Sequence, residues 1–124
     1  MVEPAETVLD RYIGLSDRAV RESSALAELL GLFASDATVL IGPEPAHGKE
    51  AVTTFYRAHF AGIVESKHYW NTTVLEDGTV RAEWVCAART TGNGLITVAG
   101  VEHATVDSDG LIQDLRNEFT RPPA

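Results

Sequence analysis

The spacing of hydrophobic positions changes once along this chain, from three or four residues to two, near residue 66. Before that point Val8, Leu9, Tyr12 and Ile13 share a helical face over residues 4–17, and Pro4 and Glu6 suit a first helical turn. A second helix is predicted from Leu26, Leu29, Leu30 and Phe33 on one face, with Ser23 or Ser24 available to cap it and Gly31 weakening its end. Residues 38–41 read Thr-Val-Leu-Ile, a brief β-branched strand that Gly42-Pro43-Glu44-Pro45 ends, because proline lacks the amide a ladder needs. A third helix is predicted over residues 49–62, with Val52, Phe55, Tyr56, Phe60 and Ile63 facing inward.

From Ser66 onward, turn signals recur between β-rich runs at Asp77-Gly78, Gly92-Asn93-Gly94 and Ser108-Asp109-Gly110. They predict a meander of four strands over residues 67–75, 79–91, 95–106 and 111–120, closed by Arg121-Pro122-Pro123. Three N-terminal helices followed by a curved antiparallel sheet define an α+β fold in which the helices cover one sheet face and leave a cone.

Composition narrows the function classes. A chain of 124 residues, 44 % of them apolar, supports one core, so residues 1–124 are read as a single domain. No apolar stretch approaches the roughly 18 to 20 residues of a membrane span, and Met-Val-Glu-Pro-Ala-Glu lacks the features of a secretory signal, so a cytoplasmic protein is expected. Cys86 is alone and sits in an apolar run, which fits a buried small hydrophobe and excludes a metal site built on cysteine spacing. No nucleotide, flavin or metal fingerprint appears, so neither cofactor nor metal is expected. A formal charge of −8 disfavours nucleic acid and anionic membrane as partners, since both require clustered Lys and Arg.

Two fragments, Leu-Phe-Ala-Ser-Asp-Ala-Thr-Val from Leu32 and Gly-Lys-Glu-Ala-Val-Thr-Thr-Phe-Tyr from Gly48, resemble the NTF2-like superfamily. Within it they resemble SnoaL-like polyketide cyclases and ketosteroid isomerases. The resemblance implies a cone-shaped fold whose mouth is a ligand pocket and whose outer sheet face makes a homodimer. It places Tyr12, in Asp-Arg-Tyr-Ile, at the position of an oxyanion-hole tyrosine, and Glu102, in Gly-Val-Glu-His-Ala-Thr-Val, at that of a protonated acid completing the hole. A carboxyl desolvated in an apolar cone keeps its proton near neutral pH and donates to an enolate. The position of the isomerase base falls on Ile41, which cannot take a proton, unless Asp36, Glu44 or His47 reaches in. His68 lies where SnoaL-like and scytalone-dehydratase-like proteins carry a strand histidine, which implies a base that titrates near working pH.

Register decides whether His68 faces the cone. A two-residue Asp77-Gly78 loop pairs Asn71 with Trp84, a three-residue loop with a glycine bulge pairs Trp70 with Trp84, and the slip exchanges His68 for Tyr69 in the pocket. Along the next strand Ala82, Trp84, Cys86 and Ala88 alternate with Arg81, Glu83, Val85, Ala87 and Arg89, so the first set faces inward. Trp84 suits either a flat ligand or the core. Leu115, Asn117 and Phe119 share a face on the last strand, where the Asn117 amide either orients a ligand or bonds backbone. His59 reads as a core or rim histidine, His103 as an outer-face residue, His47 stays open, and Asp36 reads as a turn acceptor.

These readings converge on a cofactor-free cyclase, isomerase or dehydratase acting on a hydrophobic carbonyl or polycyclic compound through enolate stabilisation. Tyr12, Glu102 and His68 are the catalytic candidates, Asn117 orients, and Phe55, Trp70, Trp84 and Phe119 supply walls. The alternative is a non-catalytic ligand-binding or dimeric accessory module, which Ile41 suits. A limonene-type epoxide hydrolase would need an Asp-Arg-Asp constellation in the cone, whereas Arg81 and Arg89 fall on the other sheet face.

Overall fold

Thr7 opens the first helix by a reciprocal cap. In the computed structural model, which describes residues 6–92 and 94–122, the Thr7 hydroxyl accepts the Asp10 amide at 3.1 Å, and the Thr7 amide donates to Asp10 Oδ2 at 2.8 Å. Helix α1 therefore spans Val8–Ala19, and Glu6 precedes it instead of joining its first turn. Pro4 lies outside the described residues, as do Asn93 and Pro123. The predicted stripe of Val8, Leu9, Tyr12 and Ile13 is buried, and Ser16 and Ala19 extend it.

Helix α2, Ser23–Leu30, takes Glu22 as its N-cap without a side-chain bond, so neither serine caps it. Its end at Gly31 comes early enough that Phe33, expected on its face, instead begins strand β1, Phe33–Leu40. That strand is twice the predicted length. Its register shifts between Phe33 and Thr38, an irregularity that lets the exposed Asp36 accept a 3.0 Å bond from Gln113 Nε2. Strand β2 is the short Ala46–His47, and Gly48, at φ 88°, starts helix α3, Lys49–Ala61. Val52, Tyr56 and Phe60 form the buried face of α3 at intervals of four.

Strands β3 (Ile63–Val74), β4 (Val80–Thr90), β5 (Gly94–Val106) and β6 (Ile112–Arg121) form the predicted meander. The sheet nevertheless has six strands, in the order β2-β1-β6-β5-β4-β3, because β1 pairs parallel to β6. It is thus a mixed, open, curved sheet. The Asp77-Gly78 turn adopts the three-residue form: the Leu75 amide donates to the Thr79 carbonyl at 2.8 Å, Gly78 has φ 87°, and Trp70 pairs with Trp84. The register follows for the rest of the hairpin, so His68 faces the helices and Tyr69, 65 % exposed, faces away. Leu9, Ile13, Leu29, Val39, Ile112 and Leu115 are fully buried between helices and sheet, where each large apolar side chain stabilises by roughly 1.5 to 3 kcal/mol.

Candidate functional site

Helix α1 is fastened to β3 by two aspartates seven residues apart, which puts both on one side of the helix about 10 Å apart. Alternate residues of β3 supply the donors. Asp17 accepts the Ser66 hydroxyl at 2.7 Å, the His68 amide at 2.9 Å and the His68 Nδ1 at 2.6 Å. Asp10 accepts the Trp70 indole N–H and the Thr72 hydroxyl, both at 2.9 Å. Neither aspartate was singled out from the sequence. The signal was there in the seven-residue spacing of the acids and the period-two polar row Ser66, His68, Trp70, Thr72.

Beneath this seam lies a cavity of about 220 Å³ lined from α1, α3 and all four strands of the meander. Tyr12 and Ser16 enter from α1, His59 from α3, His68 from β3, Trp84 and Cys86 from β4, and Glu102 from β5. Asn117 and Phe119 close it from β6, and Ile41, just past β1, forms part of the wall. The sequence-predicted set of Tyr12, His68, Trp84, Glu102, Asn117 and Phe119 thus meets in one apolar chamber.

Two predicted walls do not reach it. Phe55 packs on the flank of α3, its ring stacked on His59 at 5.9 Å and edge-on to Tyr56 at 5.0 Å. Trp70 faces inward as the register required, but the bond to Asp10 holds its indole toward the start of α1. None of the proposed substitutes for the missing base reaches in either. Asp36 is held by Gln113, His47 Nδ1 pairs with the Thr38 hydroxyl at 2.8 Å, and Glu44 is exposed. Arg81 and Arg89 are on the opposite sheet face, bonded to Glu83 and Glu65, so the epoxide-hydrolase constellation is not formed.

Tyr12 and Tyr56 share a hydrogen bond of 2.7 Å between their hydroxyls. Burial, first of all, holds both phenols well above their ordinary range. Tyr56 is fully buried and Tyr12 lines the chamber, so Tyr56 can donate to Tyr12 and leave the Tyr12 proton for a ligand. Glu102 is only 6 % exposed. Burial raises its carboxyl to about 7, against the opposing pull of His68.

His68 is displaced oppositely in effect. Burial would lower it, but the Asp17 bond, with Cys86 and the Asp17 charge adding to it, raises it to about 9. Asp17 is correspondingly lowered: burial pushes it up, and the bonds from His68 and Ser66 outweigh that. At neutral pH His68 is therefore an imidazolium whose Nδ1–H is committed to Asp17, a proton donor through Nε2, not the ready base expected.

Across the chamber the Trp84 indole N–H donates to Asn117 Oδ1 at 2.9 Å, which fixes the amide orientation because an indole nitrogen can only donate. The Asn117 Nδ2 is buried without a partner among the described residues. Gly100 makes room for this pair: a Cβ there would lie 2.9 Å from Asn117 Oδ1, 2.9 Å from Trp84 Cζ2 and 2.7 Å from the Glu118 carbonyl.

A helix-capped curved sheet enclosing an apolar chamber with a few polar groups is the NTF2-like architecture. Residues 17–115 match the SnoaL-like domain, and the chain belongs to that family. It is similar to an NTF2-like protein of unknown function from Exiguobacterium sp. 255-15, at 28 % identity and TM-score 0.83, over 91 % of this chain and 98 % of that one. A Mycobacterium tuberculosis protein in complex with estradiol-17β-hemisuccinate shares the fold at 22 % identity and TM-score 0.73, over 92 % and 95 % of the two chains. So does a candidate polyketide cyclase from Xanthomonas campestris pv. campestris, at 19 % identity and TM-score 0.74, over 89 % and 85 %. No curated protein matches the chain. Among the described residues no helix is long and apolar enough to cross a membrane.

Proposed function

We propose that this SnoaL-like domain is a small enzyme that binds a hydrophobic carbonyl or polycyclic compound and promotes its cyclisation, isomerisation or dehydration by stabilising an enolate. The observation that carries the reading is the buried Glu102 carboxyl, raised to about 7, in one chamber with the Tyr12 hydroxyl that Tyr56 backs. Below pH 7 Glu102 is a neutral donor, and with Tyr12 it supplies two hydrogen bonds where negative charge develops on a ligand oxygen. The apolar lining strengthens both bonds, and the His68 imidazolium adds a third positive feature to the same wall. The steroid-like ligand of the Mycobacterium tuberculosis relative supports a flat hydrophobic occupant.

A low-pKa naphthol tests the reading, because its phenolate imitates an enolate. Tyr12→Phe and Glu102→Gln should each weaken naphtholate binding by roughly tenfold to a hundredfold, followed by tryptophan fluorescence. Affinity should also fall as pH rises through 7 in the wild type, where Glu102 ionises and repels the anion, and not in Glu102→Gln. Binding indifferent to both changes would remove the oxyanion site.

Ile41 in the chamber wall favours a second reading, a ligand-binding module without turnover. That reading keeps the naphtholate results and gives no product with any enone. The exposed Tyr69 and Val85 on the outer sheet face support a homodimer, which sedimentation would read directly.

A further inference from the structure

Enolate chemistry needs a proton acceptor, and the two positions expected to supply one do not: Ile41 has no proton to exchange, and His68 is held protonated by Asp17 at 2.6 Å. Another imidazole lines the same chamber. His59 enters from α3 near the rim, stacked on Phe55 with an interplanar angle of 14° and edge-on to Phe60 at 5.0 Å. Among the described residues its ring is held by aromatic contacts alone, so both of its nitrogens are free of protein hydrogen bonds.

We propose that His59 is the general base of this site and His68 its general acid, facing one substrate from α3 and β3, and that the reaction class is β-elimination from a hydroxy carbonyl compound. The inference rests on the oxyanion site proposed above and adds the two proton carriers. A His59 nitrogen takes the proton from the carbon next to the carbonyl, and the electrons pass to the carbonyl oxygen, held by Tyr12 and Glu102. When the enolate collapses, the carbon–carbon double bond forms, the β carbon–oxygen bond breaks, and the departing oxygen takes the His68 Nε2 proton to leave as water. The rim position then lets His59 return its proton to solvent, and His68 regains one.

The surrounding groups fit this division. His59 is exposed at the rim, and partial desolvation of its ring first, then the His68 cation, lowers it, so the neutral form prevails at physiological pH. The titratable groups that share the chamber with it are Tyr12 of α1, His68 of β3, Cys86 of β4 and Glu102 of β5, Tyr56 of α3 itself touches its ring, and β6 offers the uncharged Asn117. Two imidazoles driven apart within one cavity are the arrangement that acid–base catalysis uses.

The probe is 5-nitrobenzisoxazole, a bicyclic compound whose ring opens when a base removes its carbon-bound proton: the nitrogen–oxygen bond breaks, a nitrile forms and the oxygen leaves as a phenolate. The expected pH profile of kcat rises through a value below 6.5, falls above 7 as Glu102 ionises beside the developing anion, and falls again near 9 as His68 loses its proton. His59→Gln should lower kcat about a hundredfold and abolish the rising limb, while naphtholate affinity stays within about twofold. His59→Ala should recover part of the rate with added imidazole. A rising limb that survives in His59→Gln and disappears in Glu102→Gln would make Glu102 the base and overturn the proposal. Naphtholate binding without any ring opening would overturn it while leaving the oxyanion site intact, and failure of both would remove the two together.

Discussion

The two ends of the α1–β3 seam use the same device for different ends. At Asp10 a carboxylate gathers neutral donors, the Trp70 indole, the Thr72 hydroxyl and the Thr7 amide, none of which can change charge near neutral pH. At Asp17, two helical turns on, one of the donors is an imidazole, and the same bonding arrangement sets a protonation state inside the chamber. A carboxylate facing alternate strand residues is thus a clasp at one end and a proton regulator at the other. The partner on the strand decides which.

The largest effect should come from Asp17→Asn. A folded-state value of about 9 against an ordinary 6.5 makes the protonated His68 worth about 3 kcal/mol of stability, present in full below pH 6.5 and lost as pH rises through 9. The Asp17 depression is the same interaction counted from its other partner and is not added. Asp17→Asn should therefore destabilise by up to about 3 kcal/mol at pH 6 in urea unfolding, by far less at pH 10, and lower the His68 titration seen by NMR. Unchanged His68 titration would break the contrast between the two clasps.

Asp10→Asn should cost less, about 1 kcal/mol, and the loss should be flat from pH 5 to 9 because no neighbour titrates there. Thr72→Val is smaller still, roughly 0.5 to 1 kcal/mol, since it removes one hydroxyl and leaves Trp70 to hold the clasp. Equal pH dependence at both aspartates would erase the distinction.

The helices, the meander and the inward facing of Trp84, Asn117 and Phe119 were legible because helical spacing and period two are local patterns, whereas Glu102 was placed inward by the family resemblance. The Asp77-Gly78 turn left two registers open, and the three-residue form resolved them in favour of His68. What was not legible depends on contacts far apart in the chain. The Tyr12–Tyr56 bond spans 44 residues and the Asp17–His68 bond 51, and no window of sequence holds both partners. The same distance effect explains His68: its residue type pointed to a base, and only the approach of α1 turned it into a donor. Phe55 shows the complementary limit, for helical periodicity placed it on the apolar flank without revealing which side of α3 opens on the chamber.

The parallel pairing of β1 with β6 also orders events in time. Phe33 meets Ile112 across 79 positions, so a chain synthesised at roughly 5 to 20 residues per second waits about 4 to 16 s between making one and the other. Within that interval α3 and the first three strands of the meander are made, while β1 still waits for the strand it pairs with. The chamber is therefore born last, and a nascent chain halted before residue 112 carries Tyr12, His59 and His68 without the strand that brings Asn117 and Phe119 against them.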